Sequence, residues 1–120
     1  MANKEELDKA IAAHGQWKIR LKTSIDTGKS ETPVETIRLD NQCAFGKWLY
    51  GLTAADKTSS HFAKVKELHA EFHKTAASVT ERALSGKKAE AEKMMAMGGE
   101  YASISGKLTS AMMAWKMSLG

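Results

Sequence analysis

The 120-residue sequence predicts an all-α protein, an antiparallel four-helix bundle in which one short helix carries the only cysteine. Apolar residues recur at three- and four-residue spacing in four segments, which is the pattern of amphipathic helices. Short connections containing glycine, serine or proline separate these segments, and no segment shows the strict alternation of a half-buried strand. Helices joined in this way pack as a bundle, and 120 residues suffice for one domain, residues 1–120.

The first predicted helix covers residues 3–27. Asn3 is a suitable N-cap, two glutamates follow in the first turn, and Gly28 is placed to end the helix. Trp17 lies beside the apolar positions. These recur at helical spacing: Leu7, Ile11, His14, Leu21 and Ile25.

The second predicted helix is shorter, residues 36–50, and follows a loop at 28–35 that holds the only proline. Gly51 is placed to stop it. Asp40 and Asn41 favour caps and turns over helix interiors, which allows a break near Asn41. The apolar side consists of Ile37, Leu39, Cys43, Phe45, Trp48 and Leu49.

After a connection at 54–60, a third helix is predicted for residues 60–85 and is ended by Gly86. Its apolar stripe consists of Phe62, Val65, Leu68, His69, Phe72, Ala76, Val79 and Ala83.

The fourth predicted helix covers residues 87–119, and the pair Gly98-Gly99 allows a kink in it. The methionines and Trp115 exceed what three partner helices readily cover, so they form either an irregular core or a dimer face. The stripe consists of Met94, Met97, Tyr101, Ile104, Leu108, Met112, Trp115 and Leu119.

Charge and apolar run length restrict the partners. Eighteen basic and fourteen acidic residues give a formal net charge of +4, but the charges alternate along helical faces and Lys87-Lys88 is the only adjacent basic pair. This distribution argues against a nucleic-acid partner. The apolar runs are far shorter than the ~20 residues that cross a bilayer, which predicts no membrane insertion. With one cysteine and no leader-like N-terminal pattern, we expect a cytoplasmic location.

Three histidines and the cysteine can meet inside the bundle. His69 and His73 are four residues apart, so both rings lie on one helix face and can converge on one ion. His14 is at a core-facing position of the first helix and Cys43 is on the apolar side of the second. A thiolate with three imidazoles is a tetrahedral donor set for Zn²⁺, which predicts one zinc per chain. His61 lies two turns before His69 and is excluded from the set.

Three motifs carry a resemblance to a known family. They are His14-Gly-Gln-Trp17-Lys18, Arg38-Leu-Asp-Asn leading into Cys43-Ala-Phe-Gly46-Lys-Trp48-Leu-Tyr-Gly51, and His69-Ala-Glu-Phe-His73. Over nearly its whole length the chain resembles the chemoreceptor zinc-binding (CZB) domain of bacterial signalling proteins. The resemblance implies zinc ligation by His14, Cys43, His69 and His73. It also implies a helical bundle that often forms a homodimer and is attached to a chemotaxis receptor or a diguanylate cyclase.

The ligand set predicts a sensor and not an enzyme, because four protein ligands leave no open position for the water that catalytic zinc retains. Two signals are expected: loss of zinc, and oxidation of the Cys43 thiolate, for example by hypochlorous acid, to a sulfenic acid that ligates poorly. Asp40 is interpreted as a residue that orients a ligand histidine. A Cys43/histidine nucleophile lacks an orienting acid or oxyanion hole in the sequence.

Two alternative hypotheses for the metal site remain. One is a purely structural zinc site. The other is a hemerythrin-like or ferritin-like iron bundle, which needs several carboxylates in core positions. The nearest acids to the predicted ligands are Asp40, Glu67 and Glu71.

Overall fold

The computed structural model describes residues 3–119, which fold into helices without a strand, and it confirms the predicted all-α bundle. Residues 1, 2 and 120 of the predicted domain lie outside this range. The bundle measures 45 × 25 × 19 Å along its principal axes. The helices are α1 Lys4–Thr27, α2 Val34–Arg38, α3 Ala44–Tyr50, α4 Ala54–Lys57, α5 Ser60–Leu84, α6 Lys88–Met95 and α7 Glu100–Ser118.

Helix α1 begins and ends where the sequence predicted. The Asn3 side chain accepts a hydrogen bond from the Glu6 backbone N–H at 2.9 Å. Gly28 adopts the left-handed conformation, with φ of 71°, and its N–H donates to the Ser24 carbonyl. Because glycine enters this region without a Cβ clash, the chain leaves the helix there. The buried face of α1 includes Leu7, His14, Trp17, Leu21 and Ile25.

The second predicted helix is interrupted near Asn41, where the sequence allowed a break, and its first part starts two residues earlier than predicted. It is divided into α2 and α3 by a loop at residues 39–43 that turns at Asp40 and Asn41, and Leu39, expected on the apolar side, is half exposed. Within this loop Cys43 is the N-cap of α3 and not a residue inside a helix. The loop folds back so closely that a Cβ on Gly46 would collide with the Asp40 carbonyl oxygen. Glycine at 46 therefore permits this break.

Helix α5 is the central element, with α1, α2, α6 and α7 packed around it. It extends over almost the predicted range and buries the predicted stripe, except that Leu68 is only partly covered. The predicted connection before it contains one helical turn, α4, whose N-cap Thr53 accepts from the Asp56 backbone N–H at 3.2 Å. A long, buried α5 gives the side chains of its inner face fixed positions.

The fourth predicted helix is also divided, with a break where a kink was expected. Helix α6 ends at Met95, Gly98 has φ of 85°, and α7 starts after Gly99. A Cβ on Gly99 would collide with the Lys93 and Met94 carbonyl oxygens, so the break requires glycine there. Met97 and Leu119 were expected in the core and are exposed, whereas the other six residues of the stripe are buried. Within residues 3–119, no helix is both long and apolar enough to cross a membrane.

Candidate metal centre

Helix α1 supplies one buried imidazole with a free ring nitrogen. His14 is only 4% exposed, and its Nδ1 lies 2.7 Å from the Ala10 carbonyl oxygen. Since a carbonyl can only accept, Nδ1 carries the proton and Nε2 keeps a lone pair. This Nε2 is buried and has no hydrogen-bond partner among the described residues. A buried, unpaired acceptor of this kind is typical of a ligand without its ion.

Helix α5 supplies two more imidazoles, one turn apart. His69 and His73 are both buried, and their Nε2 atoms are 3.0 Å apart. The Nδ1–H of His73 donates to the Ile37 carbonyl of α2 at 2.9 Å, which leaves its Nε2 lone pair facing His69. The Nδ1 of His69 has no partner among residues 3–119. The hydrogen bond to Ile37 fixes one ring against α2.

The loop between α2 and α3 supplies the thiol. The Sγ of Cys43 lies 3.4 Å from His69 Nε2 and 3.5 Å from His73 Nε2. It also accepts the Gly46 backbone N–H at 3.3 Å, so the same sulfur caps α3 and faces the histidines. Cys43 is partly exposed, whereas the three histidines are buried.

The four donors lie close enough together to share one metal ion. Ligand atoms of His14, Cys43, His69 and His73 all lie within 4.8 Å of one another. Bonds of roughly 2.0 Å to nitrogen and 2.3 Å to sulfur place tetrahedral ligand atoms roughly 3.3 to 3.6 Å apart. The distances among Cys43, His69 and His73 are close to those edges, and an ion would satisfy the unpaired Nε2 of His14. The sequence predicted these four residues, and the structure brings all four together.

Burial keeps the histidines in the form that binds metal. It lowers the pKa of His14 to about 4, although the hydrogen bond to Ala10 opposes the shift. Burial, with smaller contributions from the neighbouring histidines, lowers the pKa of His69 to about 2. The pKa of His73 is lowered by burial against the opposing effects of Ile37 and Asp40. All three rings are therefore neutral near pH 7.

The thiol differs from the imidazoles in its protonation. Burial raises the pKa of Cys43, while backbone N–H groups at the start of α3 oppose the shift and the Asp40 charge adds to it. Without metal the sulfur is a thiol at neutral pH. A metal that binds here has to displace this proton, which makes binding dependent on pH through Cys43.

Aromatic rings enclose the donors. Phe72 lies 5.0 Å from His14, Phe45 lies 5.1 Å from His69, and Trp17 lies 6.1 Å from His73, each edge to face between ring centroids. These rings are part of the burial that lowers the histidine pKa values. The apolar stripes predicted that Phe45 and Phe72 face inward, but not that they surround the metal ligands.

Asp40 does not orient a histidine, which corrects the prediction. Its carboxylate accepts the Tyr50 hydroxyl, at 3.0 Å to one oxygen and 3.1 Å to the other. The ring nitrogens of His14 and His73 are held by the main-chain carbonyls of Ala10 and Ile37. No side-chain pattern could have revealed these partners, because every residue carries a carbonyl.

The other candidate ligands are remote from the centre. Glu67 and Glu71 are exposed, and no carboxylate belongs to the four-residue group found within residues 3–119. A di-iron centre of the carboxylate type therefore lacks its ligands in this part of the chain. His61 is outside the group, as the sequence predicted.

A helical bundle that gathers one thiol and three neutral imidazoles in its interior defines a metal-binding domain with a donor set suited to one ion. The profile of the chemoreceptor zinc-binding domain matches residues 14–80, more than half of the chain. The match begins at His14 and includes Cys43, His69 and His73. The chain therefore belongs to the chemoreceptor zinc-binding domain family. No curated protein and no solved structure matches the sequence.

Proposed function

We propose that this chain is a zinc-binding sensory domain of a bacterial signalling protein, with one Zn²⁺ held by His14, Cys43, His69 and His73. The convergence of four donor atoms within 4.8 Å carries the proposal. One thiolate and three imidazoles, with no carboxylate, suit the borderline softness of zinc better than that of calcium, magnesium or manganese. All four positions are filled by the protein, which favours a regulatory over a catalytic role.

In this proposal zinc links three parts of the bundle, and the signal is the making or breaking of that link. His14 belongs to α1, Cys43 to the loop before α3, and the remaining two histidines to α5. Bound Zn²⁺ would supply coordination bonds that buried donors cannot obtain from water. Without those bonds, only packing and hydrogen bonds attach α1 and the Cys43 loop to α5. Zinc loss would therefore loosen the bundle at this point.

Oxidation of Cys43 would give the same response. Its thiolate attacks the chlorine of hypochlorous acid, and water then hydrolyses the sulfenyl chloride, so that the net products are a sulfenic acid and chloride. Sulfur loses two electrons and chlorine gains them. The sulfenic acid is a poorer ligand than the thiolate. Cys43 supports this proposal as the partly exposed member of the centre, since an oxidant can reach it more readily than the histidines.

We further propose a homodimer that acts on a chemoreceptor or a diguanylate cyclase in the same or another chain. Helix α7 supports this proposal because its outward face carries Met113 and Met117, which are 51% and 79% exposed. Beyond Glu100, the charged residues of α7 are Lys107 and Lys116 alone. Two exposed methionines one turn apart on a face with few charges are a feature of interfaces. Sedimentation should give a dimer mass that M113E/M117E lowers to that of a monomer; a monomeric wild type would refute the dimer.

Metal analysis of the purified protein tests the site. We expect one zinc per chain, and we expect Cys43→Ala to lose zinc to a chelator at least 100-fold faster, since removing one soft ligand opens the coordination sphere. His61→Ala is the matched control, because it removes an imidazole that lies outside the centre. Unchanged affinity in Cys43→Ala would disprove the four-ligand site, and an absorption spectrum of oxo-bridged iron would favour the iron alternative.

Stoichiometric hypochlorous acid separates a sensor from a purely structural zinc site. The sensor predicts that one oxygen is added to Cys43, that zinc is released, and that the circular-dichroism signal changes in the same time course. Oxidation of Cys43 without zinc release or a change in structure would leave only a structural zinc site.

A further inference from the structure

A side-chain pair, Asp40 and Tyr50, closes the segment 40–50, which contains Cys43 and α3. The Tyr50 hydroxyl, at the end of α3, reaches both carboxylate oxygens of Asp40, at 3.0 and 3.1 Å. On its main-chain side, Asp40 packs against Gly46, where there is no room for a Cβ. Asp40 is therefore bonded through its carboxylate to Tyr50, and its carbonyl lies close against Gly46. Cys43 precedes both partners in the sequence.

We propose that Tyr50 and Asp40 form a clasp that keeps Cys43 Sγ at the metal centre, which makes Tyr50 a positioning residue. The inference deepens the proposed function, because opening the clasp would expose the oxidisable ligand. The clasp closes residues 40–50 into a ring that contains the sulfur and the Gly46 N–H that it accepts. When the ring opens, residues 40–43 lose one of the two contacts that fold them back onto α3.

Two neighbouring contacts keep Tyr50 in place. The Nζ of Lys66, on α5, lies 4.9 Å from the centre of the Tyr50 ring, a cation–π contact. The Nζ of Lys57, on α4, donates to the Tyr50 carbonyl at 3.0 Å. These contacts involve the ring and the main chain, so the phenol oxygen is free to act on Asp40. Tyr50→Phe consequently removes the clasp and leaves the other two contacts.

Solvent can compete for this clasp. Tyr50 is 43% exposed and Asp40 is partly exposed, whereas the histidines on the other side of the centre are buried. An exposed hydrogen bond contributes less than a buried one, and it opens more often. Transient opening at this place would release the cysteine while α1 and α5 stay packed.

The test measures alkylation of Cys43 by iodoacetamide in the zinc-free protein under native conditions. We expect Tyr50→Phe to raise the rate roughly three- to tenfold, the range that corresponds to loss of one ordinary hydrogen bond. Asn3→Ala is the matched control: it removes an exposed side-chain hydrogen bond that caps α1, remote from the clasp in sequence. It should lower the melting temperature at least as much as Tyr50→Phe and leave the alkylation rate within twofold.

A pair of Asp40 variants separates the hydrogen bond from the charge. Asp40→Asn and Asp40→Ala both remove the negative charge, but only asparagine keeps an acceptor for the Tyr50 hydroxyl. Cys43 should be alkylated several-fold more slowly in Asp40→Asn than in Asp40→Ala. In the Tyr50→Phe background this difference should disappear, because the hydroxyl is absent.

Equal rates in wild type and Tyr50→Phe would overturn the clasp, and so would a control variant that reacts as fast as Tyr50→Phe. The measurement is made without metal, so its result is independent of the proposed function. If the wild type binds no zinc but Tyr50→Phe raises the alkylation rate, the clasp is supported and the zinc sensor is refuted. If the wild type binds zinc but Tyr50→Phe leaves the alkylation rate unchanged, the sensor is supported and the clasp is refuted.

Discussion

The metal centre joins two regions of different construction. The histidine region consists of α1 and α5, helices of 24 and 25 residues with all three imidazoles buried. The cysteine region, residues 39–50, contains only the seven-residue α3 and a loop, and its ligand is partly exposed. Helices as short as α3 are not stable alone and depend on their contacts. The comparison shows a centre that combines buried imidazoles on two long helices with a partly exposed thiol on a short segment.

Acid should produce the largest effect, and it should act on the histidine region. In the metal-free fold His14, His69 and His73 have lowered pKa values, so they are neutral at pH values where the unfolded chain, with a pKa of about 6.5, is protonated. Their full contribution to stability is present above that pH and is lost as the pH falls. At pH values well below 6.5, a ring that stays neutral accounts for at most about 1.4 kcal/mol per pH unit. His14 and His69, whose pKa values are lowered to about 4 and about 2, together account for up to about 3 kcal/mol per unit.

Urea unfolding of the zinc-free protein between pH 6.5 and 5 measures this slope. His14→Gln should reduce it by up to about 1.4 kcal/mol per pH unit, because one titrating ring is removed. The Cys43 thiol is protonated in both states over this range and contributes nothing. Identical slopes for wild type and His14→Gln would mean that the rings are not kept neutral by folding, and the contrast between the regions would be lost.

Truncation of an aromatic ring should have the next largest effect and should differ between the regions. Phe72 is fully buried beside His14 and His73, so Phe72→Ala should lower the free energy of unfolding by about 3 to 5 kcal/mol. Trp48, in α3, is only partly buried, and Trp48→Ala should lower it roughly half as much. Urea denaturation of the zinc-free variants provides both values. If Trp48→Ala is as damaging as Phe72→Ala, the cysteine region is as tightly packed as α5.

Zinc removal should give the smallest of the three effects, and a local one. We expect amide hydrogens of α3 to exchange about 100-fold faster without zinc, which corresponds to about 2.7 kcal/mol, because Cys43 no longer ties the helix to the histidines. Protected amides in the middle of α5 should change less than tenfold. Hydrogen exchange with and without a chelator measures both. A uniform change across α3 and α5 would show that the two regions open as one unit.

The sequence predicted the parts of the site that depend on residue type and helix period. His69 and His73 share a face because of their four-residue spacing, and His14 lies on the buried side of α1, whose ends are set by Asn3 and Gly28. These features are local, so the spacing of residue types along the sequence predicts them. The four-residue donor group was predicted from these histidine positions and from the ability of the single cysteine to bind zinc as a thiolate.

The sequence indicated where the two breaks could lie, but only the tertiary structure decided their extent and the hydrogen-bond partners. Segments of five to eight residues such as α2, α3 and α6 have no independent stability, so their ends are set by the surfaces against which they pack. The apolar period continues through both breaks, and for that reason Leu39 and Met97 were wrongly assigned to the core. The hydrogen bonds from the histidines to main-chain carbonyls, and from the Tyr50 hydroxyl to Asp40, form only when the chain folds. Helical periodicity identifies the face of a residue, whereas the atom that it meets depends on the path of the whole chain.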